Sequence, residues 1–187
     1  QMIAKGHHFP RLTLVGVIDA DLGLEGGDLR ACEKTYQLLH QVSGRAGRET
    51  GKSDVYLQTF NPQHPVLQAI LNNDRETFYR LEAHNREMLG FPPYGRLAGV
   101  IISGPIDSLV EETARTLAKS FPVSDTVHLL GPTPAVLHKI RKNYRWRLLV
   151  KAPRQTNIQA LIQDWIWPFK RNPKVRIQVD IDPYNFL

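Results

Sequence analysis

Residues 144–151, Tyr-Arg-Trp-Arg-Leu-Leu-Val-Lys, decide how the second half of this chain folds. In an extended chain Tyr144, Trp146, Leu148 and Val150 fall on one side. Arg145, Arg147 and Lys151 fall on the other, the period of a strand with one face in a core. Working outward, Leu97 to Ser103 is a second apolar strand. Ser108-Leu-Val-Glu111 has the form of a capping box, and Val110, Ala114, Leu117, Ala118 and Phe121 make one helix face behind it. Val127 to Leu130 predicts a short strand, Gly131-Pro-Thr-Pro134 a turn, and residues 135–143 a basic loop. Thr156-Asn-Ile-Gln159 is a second capping box, opening a helix striped by Ile158, Leu161, Ile162 and Trp165. Val175, Ile177, Val179 and Ile181 predict the core face of a last strand. The order over residues 96–187 is β-α-β-β-α-β, with two helices on one side of an antiparallel sheet: a ferredoxin-like α+β arrangement.

The first half reads as α/β. Arg11 to Ile18 is nearly continuous in apolar residues and predicts a parallel strand buried on both faces. Asp19-Ala-Asp21 and a glycine-rich turn follow. Asp28 can cap a helix bearing Leu29, Cys32, Tyr36 and Leu39 at helical spacing. Asp54 to Phe60 predicts another strand, so residues 1–62 read as the end of an α/β domain. Residues 63–95 predict a helical connector, with helices over 65–71 and 74–89. The second buries Phe78, Leu81, Asn85 and Met88 and stops at Gly90. Phe91-Pro-Pro-Tyr-Gly95 cannot continue it.

The 187 residues carry 24 Lys+Arg against 18 Asp+Glu, with 42% hydrophobic and 22% charged residues. That balance excludes a disordered chain and predicts a soluble globular protein. No apolar run approaches a membrane span. Gln1-Met2-Ile3 lacks a basic region with an apolar run behind it, so no secretory signal is expected, and the single cysteine, Cys32, allows no internal disulfide. The expected compartment is the cytoplasm. The chain opens inside a patterned segment, as the C-terminal piece of a longer protein would. The charge is local: residues 126–163 hold Lys139, Arg141, Lys142, Arg145, Arg147, Lys151 and Arg154 and no Asp or Glu. A concentrated patch attracts polyanions by counterion release. Such contacts position nucleic acid without reading its sequence. A solvated face that only aids solubility is the competing account.

Gln41-Val-Ser-Gly-Arg45-Ala-Gly-Arg48 is the most informative motif. Two arginines three residues apart, on a helix start broken by Gly44 and Gly47, can point into one cleft. Their planar forks suit phosphate oxygens and developing phosphoryl charge. Gln41 can bond phosphate or an attacking water. A basic surface loop is the alternative. Ala46 to Ser53 fits the loosest Walker A pattern, but it follows a helix and opens a strand, the wrong context for a phosphate cradle. Lys5 can meet phosphate, and Gly6 admits close backbone approach. His7 and His8 make a poor metal pair, because adjacent side chains diverge. Asp19 and Asp21 suit turns and strand ends better than a metal. Trp165 and Trp167 read as core or core rim, and Cys32 as buried and inert.

Taken together, QMIAKGHHFP, the buried strand ending in Asp-x-Asp, GDLRACEK and QVSGRAGR resemble motifs V and VI of superfamily 2 DNA helicases. With LGFPPYGR and LGPTPAVLHKIRKNYRWRLLVKAP, the chain is similar along nearly its whole length to the replication-restart helicases of bacteria, the primosomal protein N′ family. The resemblance implies that residues 1–62 finish a RecA-like helicase lobe and residues 96–187 form a C-terminal DNA-binding domain. It implies that Gln41, Arg45 and Arg48 face ATP, with Arg45 or Arg48 as arginine finger. Lys5, Gly6, His7 and Gly44 would couple nucleotide to DNA, and Lys139, Arg141, Lys142, Arg145, Arg147 and Lys151 would bind DNA. The whole protein would unwind forked DNA 3′ to 5′ using ATP and Mg. It would hold zinc in a domain outside these residues, contact single-strand-binding protein and primosome proteins, and associate with the nucleoid. This chain shows no true Walker A, no DEAH-type box and no zinc-binding cysteine cluster. By itself it is expected to bind no cofactor and hydrolyse no ATP. Two other readings stay open: a stand-alone nucleic-acid-binding module, and a small P-loop enzyme using Gly51-Lys52-Ser53.

Overall fold

The computed structural model describes residues 12–24, 29–44, 54–169 and 173–184 of the chain, which is a mixed α/β protein. It divides into two compact units, Gln1–Glu82 and Ala83–Leu187.

In the first unit, β1 (Leu14–Val17) pairs in parallel with β2 (Asp54–Leu57), and α1 (Ala31–Ser43) lies between them in the chain. α2 (Pro65–Leu71) follows, opened by Pro65 at its first turn, where a missing N–H costs nothing, and capped by His64 Nδ1 accepting from the Val66 N–H. α3 (Arg75–Met88) starts where Asp74 Oδ1 accepts from the Thr77 N–H at 3.0 Å. Tyr36 of α1 stacks on Phe78 of α3, ring centroids 4.2 Å apart, beside Val66 and Ala69. Leu39, Leu67 and Ala20 form a neighbouring cluster.

Three expectations fail here. β1 is buried on one side only: Val15 is buried, while Leu14 is 57% and Ile18 81% exposed. A parallel strand is apolar on both faces when elements cover both, and among the described residues only the Val15 side is packed. On α3 Phe78 is buried, but Leu81 is exposed and Met88 is 74% exposed. The period of an apolar stripe marks a face without saying that anything covers it. Cys32 is half-buried at the edge of the Tyr36 cluster rather than inside it.

The second unit is a four-stranded antiparallel sheet of order β4-β5-β3-β6, made of β3 (Gly95–Gly104), β4 (His128–Ile140), β5 (Asn143–Pro153) and β6 (Arg176–Ile181). α4 (Asp107–Lys119) follows β3, and α5 (Ile158–Ile166) follows β5. The element order is the one read from the sequence. Both helices pack on the face carrying Ala98, Val100 and Ile102 of β3 and Trp146, Leu148, Val150 and Ala152 of β5. Val110, Ala114 and Leu117 of α4 and Ile158, Ile162, Trp165 and Ile166 of α5 complete this core. Trp165 Nε1 donates to the Leu117 carbonyl at 3.0 Å and so satisfies its one buried donor. Trp167, placed with it at the core rim, is 61% exposed. Entry to the unit is set by Gly90, φ +59, where the Phe91 N–H reaches back to the Arg86 carbonyl at 2.8 Å and ends α3.

The largest departure from the sequence reading is β4. It is not a short strand plus turn and loop; it runs thirteen residues through both prolines, with register shifts between Leu130 and Thr133 and between Pro134 and Lys139. β4 is a sheet edge, where a missing N–H faces solvent and bulges absorb the prolines, so Pro132 and Pro134 interrupt the ladder without ending it. The predicted caps also move. α4 begins at Asp107, with Ser108 inside it and no side chain capping it. α5 is capped by Asn157, whose Oδ1 accepts from the Ala160 N–H at 3.2 Å, in place of Thr156.

Candidate nucleic-acid interface

The β4–β5 hairpin carries all six of the predicted DNA-binding residues, and the structure separates them into three pairs. Arg145 and Arg147 are half-buried on the sheet face opposite the helices, as the alternation required. Among the described residues neither guanidinium has an ion-pair or hydrogen-bond partner. Arg96 and Arg115 of the same unit differ: each bonds a carboxylate, Asp182 at 2.8 Å and Glu111 at 2.7 Å. Arg141 and Lys142 form the hairpin tip between the paired residues Ile140 and Asn143. Both are exposed, and both have left-handed backbones, φ +47 and +70.

The third pair is tied down. Lys139 lies on β4, not in a loop; its Nζ sits 4.5 Å from the Tyr144 ring centroid and donates to Tyr144 Oη at 3.0 Å. Lys151 Nζ donates to the Leu89 carbonyl at 3.2 Å and holds the residue before Gly90 against β5. Both cations therefore have intramolecular work that competes with a ligand.

The hairpin is anchored to α4 through one carboxylate. Asp107 Oδ1 accepts from Trp146 Nε1 at 3.0 Å and lies 3.1 Å from His138 Nε2. His138 meets the rings of Tyr144 and Trp146 edge-on, at 5.6 and 6.3 Å between centroids. Trp146 is thus a core residue with its N–H paired, and base stacking is left without it. This network fixes the arm that carries the charges.

On the open face the sheet register assembles residues distant in sequence. Ser103 of β3 lies opposite Arg145 on one side and opposite Arg176 of β6 on the other. Ile101 lies between Arg147 and Gln178 in the same way. Arg176 is exposed, and sequence reasoning missed it. Its signal was present in the alternation of Arg176, Gln178 and Asp180 with Ile177, Val179 and Ile181, but not which strand β6 would join.

In the first unit, Gln41 is exposed on the last turn of α1, and Gly44 follows as its C-cap with φ −70 and its N–H on the His40 carbonyl. The segment read as a helix start is a helix end here, because the apolar period through Leu39 continues to Val42 before Gly44 stops it. Arg45, Arg48, Lys5, Gly6 and His7 lie outside the described residues, as do Asp28 and the Walker-like segment from Ala46 to Ser53. Asp19 and Asp21 are structural. Asp19 Oδ1 accepts from the N–H groups of Asp21 and Leu22. Asp21 accepts from Thr59 Oγ1 at 2.6 Å and the Phe60 N–H at 2.7 Å, bonds that lower its pKa below the ordinary carboxylate value. Among the described residues no cluster of three or more His, Cys, Asp or Glu side chains could hold a metal, and no helix is long and apolar enough to cross a membrane.

The model of the primosomal protein N C-terminal domain matches residues 87–184. The chain belongs to that family. Its relatives extend the likeness beyond that domain. A replication restart protein PriA of Rickettsia felis is 42% identical over 186 residues, covering all of this chain and 28% of its own length. The protein of that name from Bacillus subtilis is 40% identical over 193 residues, again covering all of this chain and 24% of itself. That of Haemophilus influenzae is 36% identical, covering 99% of this chain and 26% of itself. The chain therefore spans about a quarter of the length of these relatives. The matched region contains the entire β4–β5 hairpin and the open sheet face.

Proposed function

We propose that this chain is the C-terminal part of an ATP-dependent 3′–5′ DNA helicase that recognises stalled forks and restarts replication. Residues 1–62 are the end of a RecA-like lobe, and residues 96–187 are a ferredoxin-like domain that docks DNA. The family match, the relatives named for replication restart and the parallel β1–α1–β2 run support this reading. One observation carries the DNA-docking part: Arg145 and Arg147 stand side by side on the sheet face away from α4 and α5, with no ion-pair or hydrogen-bond partner among the described residues. Paired arginines stabilise a fold; adjacent like charges without partners oppose it, and an anionic ligand relieves the repulsion. Arg141 and Lys142 extend the same charge to the hairpin tip, while Lys139 and Lys151 hold the arm in shape.

In the whole protein, Gln41, Arg45 and Arg48 would meet the phosphates of ATP with its Mg, and Lys5, Gly6, His7 and Gly44 would transmit that state to DNA. The zinc expected of the whole protein belongs to a domain outside these residues. Forked and single-stranded DNA, single-strand-binding protein and primosome proteins are the partners, in the bacterial cytoplasm at the nucleoid.

The test is fluorescence-anisotropy binding of residues 1–187 to forked, single-stranded and duplex DNA across a salt series, beside a variant with Arg141, Arg145 and Arg147 changed to Ala. The expected result is fork-preferring, salt-dependent binding that collapses in the variant. Binding that is absent, or the same in the variant, refutes the docking surface. DNA-stimulated ATP turnover by these residues alone would contradict the division of labour with the rest of the protein.

A further inference from the structure

We propose that the open face of the second unit's sheet is a single-strand track running across the strands. It begins at Arg145 and Arg147 on β5, passes over Ser103 and Ile101 on β3, and ends at Arg176 on β6. This rests on the reading of the unit as nucleic-acid-binding and adds the ligand form, its path and a residue not assigned to the site.

The register sets the geometry. Arg145, Ser103 and Arg176 occupy one cross-strand row, so Arg145 and Arg176 are two strand spacings apart, about 10 Å. Arg147 stands two residues along β5 from Arg145, about 7 Å. Long, flexible guanidinium arms at such separations reach neighbouring phosphates of one strand. Between the arginines the floor is Ser103 and the apolar Ile101, and Leu149, opposite Gly99, continues the apolar surface one row beyond Arg147. Apolar side chains accept the flat faces of unpaired bases, and duplex DNA keeps those faces stacked inside. A duplex is also convex, so on a sheet it touches one line of cations, whereas a flexible strand lies flat and meets both. The Arg176 guanidinium, like those of Arg145 and Arg147, has no ion-pair or hydrogen-bond partner among the described residues. Asp180 marks the limit of the track. It sits on this face of β6 opposite Gly99, and its charge opposes a strand that strays there.

The experiment measures anisotropy of a fluorescein-labelled oligothymidylate, and of a labelled duplex, with residues 1–187 across a salt series. Arg176→Ala is expected to weaken oligothymidylate binding about two- to fivefold, the range of an exposed ion pair. The slope of log K against log salt should shrink by about 0.7, one phosphate contact on a single strand. Asp180→Asn should tighten binding by a similar factor, a gain that damaged folding cannot produce. Arg115→Ala, which breaks the Glu111 pair on the helical side, should change nothing. If the wild type binds and Arg145→Ala weakens it, yet Arg176→Ala and Asp180→Asn leave affinity and slope unchanged, the track is wrong and the docking reading stands. If the wild type does not bind, or Arg145→Ala is silent, both fall. Equal effects on oligothymidylate and duplex would overturn the single-strand assignment.

Discussion

Replacing the hairpin tip by Asn-Gly, as Arg141→Asn with Lys142→Gly, should stabilise the second unit while weakening its hold on DNA. The tip is a two-residue connection with positive φ at both positions, +47 and +70. That geometry suits Asn-Gly and disfavours long side chains with a Cβ. A left-handed conformation costs an L-residue about 1–2 kcal/mol, and glycine escapes it. Glycine gives back about 0.4–1 kcal/mol through the greater freedom of the unfolded chain. Asn tolerates the conformation with a smaller gain. The sum is about 1 kcal/mol in favour of the variant, or about 4–8 °C in Tm for a unit of roughly 100 residues. Differential scanning calorimetry measures the shift directly. Loss of two exposed cations should flatten the salt slope for a single strand by up to about 1.4 if both meet phosphate. An unchanged or lower Tm refutes the strain reasoning. A higher Tm with unaltered DNA binding would refute the tip as a docking element and leave the sheet face to act alone.

Other outcomes follow from the same contacts. Asp107→Ala removes the acceptor of Trp146 Nε1 and the neighbour of His138. Denaturant unfolding should show a loss of about 1–3 kcal/mol, with a shift in Trp146 fluorescence. Gly104→Ala would place a Cβ 2.7 Å from the Lys174 carbonyl oxygen and 3.1 Å from Val110 Cγ2, so the unit should lose about 1–3 kcal/mol in urea melts. Asp21 has its pKa lowered in the folded state by its bonds to Thr59 and the Phe60 N–H. It therefore contributes stability above its ordinary carboxyl pKa, lost as pH falls through the lowered one. The urea midpoint of the first unit should fall below about pH 4 in the wild type, and Asp21→Asn, already weaker at neutral pH, should lose part of that dependence.

Much of the second unit was legible because its signals are local. The alternation of Tyr144 to Lys151 is set by the geometry of one extended chain, so the buried and open sides of β5 follow whatever lies beside it. Gly90 and the Phe91–Gly95 turn ended α3 as expected, since φ and a missing N–H are properties of the residues themselves. β4 was misjudged at Pro132 and Pro134 because a proline's effect depends on where its strand sits: in mid-sheet it breaks a ladder, at an edge it does not. The caps slipped for a related reason. Ser108 has capping chemistry, but α4 starts at Asp107, whose carboxylate is drawn to Trp146 and His138 instead.

The sequence alone determined the order of elements, which residues of β5 face in or out, the single basic window and the family. All are written in short-range periods and motifs. Tertiary structure decided the rest. It paired Lys139 with Tyr144 and Lys151 with the Leu89 carbonyl, taking two cations out of the free set. It left Leu14, Ile18 and Met88 largely exposed among the described residues. It also set β6 beside β3, so that Arg176 faces Ser103 and shares a row with Arg145. No local period encodes that neighbour, because which strands adjoin is settled by how the helices α4 and α5 bury one face of the whole sheet.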